Sequence, residues 1–159
     1  MIHRAITLRP ARVDDALAMA AMSRDFIEAG LDWRYSPQRI ARIIGDRETI
    51  ALVACDAAGV RGFAIMQFGD ERAHLVLMCV QPAHRRLGIG RRLIEWLVES
   101  ARVAGTVSIH LELRADNEGA QAFYRTLGFS ETIVVAGYYE GRVSARRMLR
   151  LLRPPRPEE

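Results

Sequence analysis

The sequence predicts an α/β protein with a mixed, mostly antiparallel, twisted sheet of about seven strands and helices on both faces. Segments with apolar residues every three to four positions alternate with segments that are apolar at every second position or throughout, which separates helices from strands. Strand–helix–strand passages in the second half require crossovers, and short Gly- or Asp-containing turns between apolar runs require antiparallel hairpins. The order is β-α-α-β-β-β-α-β-α-β-β over 159 residues, a length that suits one domain.

Ile2 to Arg9 alternates and reads as the first strand. Val13 to Ala29 carries Val13, Ala16, Leu17, Ala20, Met22 and Ile27 at helical spacing and stops at Gly30. Ser36-Pro37 opens a short second helix, with Ser36 as N-cap and Pro37 in the first turn, ending near Gly45. Thr49–Asp56 and Val60–Phe68 form a hairpin around Ala57-Ala58-Gly59, and Arg72–Val80 follows the turn at Gly69-Asp70. Ile89–Val103 is a helix expected to face Leu93, Ile94, Trp96, Leu97 and Ala101 to the core. Val107–Leu113 alternates strictly, with Ser108, His110 and Glu112 on its polar face. Asn117–Leu127 is a helix ended by Gly128, and Ser130–Tyr139 pairs with Arg142–Leu151 around Glu140-Gly141. The domain is expected over residues 1–152, with a flexible proline-rich tail at 153–159 whose prolines suit neither helix nor central strand.

Composition narrows the function. Half the residues are hydrophobic and 26% are charged, which suits a folded globular chain. No run approaches the ~18 apolar residues of a membrane helix, and Met1 to Pro10 lacks the apolar core of a signal peptide. The expectation is a cytoplasmic chain without a membrane partner. Cys55 and Cys79 each lie in an apolar run and read as buried free thiols. All 23 basic residues are arginine, and the net charge of +4 suits an anionic ligand of ordinary size. The arginines are spread along the chain rather than gathered in a stripe, so nucleic acid is not an expected partner. His3, His74, His84 and His110 show no metal-ligand spacing, and no metal is expected.

The chemistry concentrates in the second half. From Val80 to Leu93 a strand ends, Pro82 breaks it, and a Gly-rich basic turn runs into a helix. Glycines allow close backbone approach to a ligand, and a helix start adds partial positive charge. With Arg85, Arg86, Arg91 and Arg92 this reads as a pyrophosphate cradle; a plain solvated loop is the alternative. The P-loop pattern fails for want of lysine, and the dinucleotide pattern fails because Leu93 stands where its third glycine belongs. What remains is Arg-x-x-Gly-x-Gly, Arg85 to Gly90, and it resembles the acetyl-CoA-binding motif of the GCN5-related N-acetyltransferase (GNAT) family. The segment Leu111 to Phe129, with Asn117-x-x-Ala120-x-x-Phe123-Tyr124-x-x-x-Gly128-Phe129, is similar to the next segment of the same family.

The resemblance implies a GNAT-like domain and acyl transfer from acetyl-CoA to a primary amine by direct attack. It implies cofactor contacts at Met78, Val80, Arg85, Arg86, Gly88, Ile89, Gly90, Arg91, Arg92, Asn117, Ala120 and Tyr124. Tyr124 is otherwise a core aromatic; the resemblance makes it the general acid for the coenzyme A thiolate. Glu112 is the candidate general base, directly or through a water, with His110 in reserve and a solvated strand glutamate as the alternative. Backbone N–H near Met78–Val80 is the place for an oxyanion donor. Asp32-Trp33-Arg34-Tyr35 either lines an acceptor cleft or packs onto the next helix. Gly137-Tyr138-Tyr139 is similar to the Tyr-Tyr segment of the branch that acetylates ribosomal-protein alanine, making Tyr138 an expected acceptor contact beside Trp33 and Tyr35. The match departs at Ser144-Ala145-Arg146-Arg147, which is basic where acidic character is expected. The acceptor, a small molecule or a protein N-terminus, stays open. A non-catalytic coenzyme A-binding module is the competing reading, and the last strands are plausible homodimer edges.

Overall fold

The computed structural model describes residues 5–153. Ile2–Arg4 of the expected first strand and residues 154–159 of the expected tail lie outside them. The strands are β1 (Thr7–Pro10), β2 (Thr49–Asp56), β3 (Gly59–Phe68), β4 (Arg72–Val80), β5 (Ser108–Arg114), β6 (Ser130–Tyr139) and β7 (Val143–Leu151). The helices are α1 (Ala16–Met22), α2 (Pro37–Ile44), α3 (Ile89–Val103) and α4 (Glu118–Thr126). The strands form one seven-stranded mixed sheet in the order β1-β2-β3-β4-β5-β7-β6. The chain divides into two compact units, residues 1–67 with 76–99 and residues 68–75 with 100–159.

In the first unit, β1 pairs antiparallel with β2, Thr7 opposite Cys55 and Pro10 opposite Leu52. The strand therefore reaches Pro10 rather than stopping at Arg9, and proline is tolerated because this is an edge. Arg9 forks onto Asp15 at 2.7 and 3.0 Å, and Asp15 also accepts from the Arg12 amide at 2.7 Å. The expected helix from Val13 to Ala29 is three pieces: a 3-10 turn at Val13–Asp15, α1, and a π-helical turn at Ser23–Ile27. Its buried apolar stripe is Ala16, Met19, Ala20 and Met22; Val13 and Leu17 face solvent, contrary to the sequence reading. The core of this unit joins that stripe to Ile40, Val53, Phe63, Ile65 and Leu77. Burying each large apolar side chain contributes about 1.5–3 kcal/mol.

The α3 stripe is Ile89, Leu93, Ile94, Leu97 and Ala101, all buried. Trp96, expected in the core, is 39% exposed, at the edge of that stripe. With Ile6, Thr7, Leu8, Arg92 and Glu95 it lines an open pocket of about 440 Å³. Cys79 is buried and Cys55 half-buried, both free. Burial pushes the Cys79 thiol up to about 12, so it stays protonated and inert at neutral pH.

In the second unit, the start of β4 pairs parallel with β5, Arg72 with Ser108 through His74 with His110. The β7 strand then pairs antiparallel with β5 from Ser108–Leu151 to Arg114–Ala145, and β6 lies outside β7 at the sheet edge. Asn117 caps α4 by accepting from the Ala120 amide at 3.1 Å. At the other end, Gly128 adopts φ +87°, and Arg150 lies against it and donates to the Leu127 carbonyl at 2.7 Å. A cation at a helix C-terminus also complements the dipole.

Gly62 on β3 is a place where the fold requires glycine. A Cβ there would stand 3.1 Å from the Cys79 carbonyl oxygen and 3.1 Å from Ile89 Cγ2. Gly62→Ala is expected to destabilise the protein by about 1–3 kcal/mol through overpacking. Gly119→Ala on α4, where a Cβ would meet only Asn117 Oδ1 at an ordinary 3.9 Å, is expected to stabilise by up to about 1 kcal/mol. Urea melts of the two variants check both signs.

Candidate active site

The first unit holds the expected cradle. After Val80, Pro82–His84 form a 3-10 turn, and Arg85 folds back to donate through Nε to the Val80 carbonyl at 3.3 Å. Arg86 then takes φ +66° and Gly88 φ +78°. Two left-handed residues so close together turn the chain sharply into α3, and Arg86 tolerates a conformation that disfavours any side chain. The first turn of α3, at Ile89, Gly90 and Arg91, presents the amides that a helix start leaves without intrahelical acceptors. Such an end attracts phosphate. Arg91 lies 3.9 Å from Glu95, one turn along the helix. Arg92 points elsewhere: its Nη1 donates to the Ile6 carbonyl at 3.1 Å, beside β1.

The loop with the aromatic candidates is held by a buried carboxylate that sequence reasoning missed. Glu28 accepts from Ser23 Oγ at 2.8 Å through one oxygen, and from the Arg34 and Tyr35 amides at 2.6 and 3.2 Å through the other. Trp33 is 42% exposed, with the Arg24 guanidinium 5.3 Å from its ring. Tyr35 is half-buried, packs against the core and carries Arg39 over its ring at 4.3 Å. Burial pushes the Tyr35 phenol above its ordinary range. Tyr35 therefore has a packing role, whereas Trp33 presents open surface.

The second unit holds the other candidates. On the polar face of β5, Glu112 Oε2 meets His74 Nε2 at 2.7 Å, and Oε1 accepts from Arg147 Nε at 3.0 Å. Its side chain is only 7% exposed. Burial favours the neutral acid, but the bonds to His74 and Arg147 and the nearby charges outweigh it and hold Glu112 below the ordinary carboxylate range. The His74 and His110 rings stack at 4.5 Å, 3° from parallel. Burial, then the neighbouring His74, holds His110 below its usual value. Ser108, on the same face, is buried rather than solvated.

Register explains this cluster. His74 lies opposite His110 in the parallel ladder, and Arg147 lies opposite Glu112 in the antiparallel one. His74 and Arg147 were not legible as partners of Glu112, because the interactions span 38 and 35 residues. The basic Arg146-Arg147 pair, which departs from the resembled branch, is engaged internally: Arg147 holds Glu112, and Arg146 reaches Glu131 at 3.0 Å and the Ala115 carbonyl at 3.3 Å.

Tyr124 sits on α4 and is 7% exposed, with Phe123 and Phe129 edge-on at 5.1 and 5.6 Å. Gln121 is buried and donates to the Ala115 carbonyl at 3.0 Å, which fixes the start of α4 to the end of β5. Ala120 is half-buried, and the Asn117 side chain is occupied as the helix cap. Tyr138 is 43% exposed, edge-on to Tyr139 at 4.9 Å. Met78 and Val80 are half-buried positions near the end of β4.

Residues 18–129 match the model of the Acetyltransferase (GNAT) family, and the chain belongs to that family. It is 40% identical over 77 residues to the [Ribosomal protein bS18]-alanine N-acetyltransferase of Salmonella typhimurium, covering 48% of this chain and 52% of the relative. It is 38% identical over 86 residues to the Escherichia coli K12 protein of the same name, covering 52% and 58%. The matches thus span about half the length of these curated relatives. The crystal structure of the Escherichia coli ribosomal-protein-S18-alanine N-acetyltransferase superposes with a TM-score of 0.80 at 25% identity, covering 98% of this chain and 99% of that one. Ard1 from Thermoplasma volcanium shares the fold, with a TM-score of 0.83 at 24% identity over 94% and 99% of the two chains. Among the described residues no helix is long and apolar enough to cross a membrane.

The Glu112 carboxylate gives a pH-dependent signature. Its folded pKa is depressed, so its contribution to stability is present above its unfolded value of ~4.3 and is lost as pH falls through the folded value. Glu112→Gln is expected to cost about 1.5–3 kcal/mol at pH 7, from loss of two charge-assisted hydrogen bonds. The gap to the parent protein should close as pH falls below ~4, in urea melts of both from pH 7 to 3.

Proposed function

We propose that this chain is an acetyl-CoA-dependent N-acetyltransferase acting on an α-amino group, with a protein N-terminus as the acceptor class. The observation that carries the reading is the Arg85–Gly90 turn, with left-handed Arg86 and Gly88, feeding the start of α3 inside the family-matched region. Relatives named as alanine N-acetyltransferases support the acceptor class. So does chemistry: an α-amino group, with pKa ~7.7–8.0, is neutral far more often at physiological pH than a lysine amine at ~10.4.

In this reading the turn and the first amides of α3 take the pyrophosphate, with Arg85, Arg86 and Arg91 supplying charge. Arg92, drawn to the Ile6 carbonyl, contributes through the helix rather than by contact. Backbone N–H near Met78–Val80 receives the developing oxyanion. The amine nitrogen bonds to the thioester carbonyl carbon, and the carbon–sulfur bond then breaks. Glu112 accepts the amine proton and Tyr124 gives its phenolic proton to the departing thiolate, so acetylated amine and free thiol result. A carboxylate held below its ordinary range is a weak base. Glu112 therefore accepts the proton as the nitrogen–carbon bond forms, when the nitrogen becomes acidic. Trp33 and Tyr138, both well exposed, are proposed as acceptor contacts, and Asn117 and Ala120 as neighbours of the pantetheine arm.

Thermal melts with acetyl-CoA, ATP and NAD come first. Acetyl-CoA alone, at ~100 times Kd, should stabilise by about 2.7 kcal/mol, roughly 2–4 °C per kcal/mol for a chain of this size. Tyr124→Phe should lower turnover by about 10²-fold or more with the acetyl-CoA shift retained. An unchanged rate sinks the assignment of Tyr124, and a shift without turnover on any amine favours a binding module. Thiol release on peptides with a free or blocked N-terminal alanine, against small amines, decides the acceptor.

A further inference from the structure

The geometry points to a binding site for a first-row transition-metal dication, zinc the type case, formed by His74, His110 and Glu112, whose occupation shuts off acetyl transfer. The inhibitory half rests on the role proposed for Glu112; the binding half does not.

Three side chains of metal-ligating type converge from neighbouring strands. One candidate ligand atom from each of His74, His110 and Glu112 lies within 4.8 Å of the others, and all three residues are half-buried. Backbone register produces this: His74 and His110 are paired positions of a parallel ladder, and Glu112 follows His110 on the same face. Two imidazoles and a carboxylate are a donor set that suits zinc, with a further position left for water.

The surroundings fit a ligating carboxylate. Arg147 donates to Oε1 of Glu112 while Oε2 is the oxygen that faces His74. A metal on Oε2 leaves the Arg147 bond intact, and ligating carboxylates are characteristically held by such an outer bond. Two things must change on binding. The His74–Glu112 hydrogen bond gives way to the metal, and one of the near-parallel imidazoles turns so that both nitrogens converge. The cation of Arg147 opposes the metal's charge and sets a moderate affinity. Once Oε2 is ligated, that oxygen is bound to a dication in place of a hydrogen bond to an imidazole, and the metal's charge repels the amine proton.

The test uses the full chain without a histidine tag, stripped with chelator. Co²⁺ is added first, read by its visible d–d absorption, and Zn²⁺ then competes. One Co²⁺ per chain, displaced by Zn²⁺, is the expected result, with binding weakened at least tenfold in His74→Ala and in His110→Ala. Circular dichroism melts establish that each variant is folded, and Glu112→Gln is the near-isosteric variant should either fail. Absence of a Co²⁺ spectrum, or binding retained in all three variants, overturns the site. Zinc titrated into the acetyl-transfer assay should reduce the rate of the parent protein over the range in which it displaces cobalt. Binding without inhibition overturns the regulatory half. A chain that binds zinc but acetylates nothing in its metal-free form leaves the site standing and removes the proposed function instead.

Discussion

A parallel ladder only three positions long, Arg72–His74 against Ser108–His110, organises the polar face of β5. Parallel pairing requires a crossover, and here α3 supplies it. The ladder places His74 beside His110 and within 2.7 Å of Glu112. Beyond the ladder, β4 runs on to Val80 and the basic turn, and β5 runs on to Arg114 and the start of α4. Each strand thus ends at one of the segments proposed to carry the chemistry.

The carboxylate at the centre of that face is constrained from two sides. His74 arrives from β4 and Arg147 from β7. A buried carboxylate with one oxygen unpaired would cost several kcal/mol or take up a proton; with both oxygens engaged it stays ionised. The same pairing makes Glu112 structurally expensive to remove and chemically a weak base.

Several of the arginines serve the fold internally. Arg9 serves Asp15, Arg61 serves Asp56 and Gln81, and Arg146 and Arg147 serve Glu131 and Glu112. Arg92, Arg150 and Arg153 donate to the carbonyls of Ile6, Leu127 and Gly105. A guanidinium has five donors in a planar fork, so it can bridge strand ends and helix ends that a lysine would hold less firmly. Basic composition here is therefore weak evidence for an anionic macromolecular partner.

Element order, the hairpins at Ala57–Gly59 and Glu140–Gly141, and the cap at Ser36 were legible because each depends on residues a few positions apart. The Arg85–Gly90 motif was legible for the same reason. The inward face of α3 was read correctly except at Trp96, which lies at the edge of the buried stripe, beside an open pocket, and is 39% exposed. The three-part helix from Val13 to Ile27 was not legible, because its last turn widens where Ser23 and Glu28 bond to each other. Nor were the partners of Glu112. Sequence by itself determined which short segments form strands, helices and turns, since those choices rest on local propensity and period. Only the tertiary structure decided which side chains share the polar face of β5, since strand register sets those neighbours across 35 or more residues.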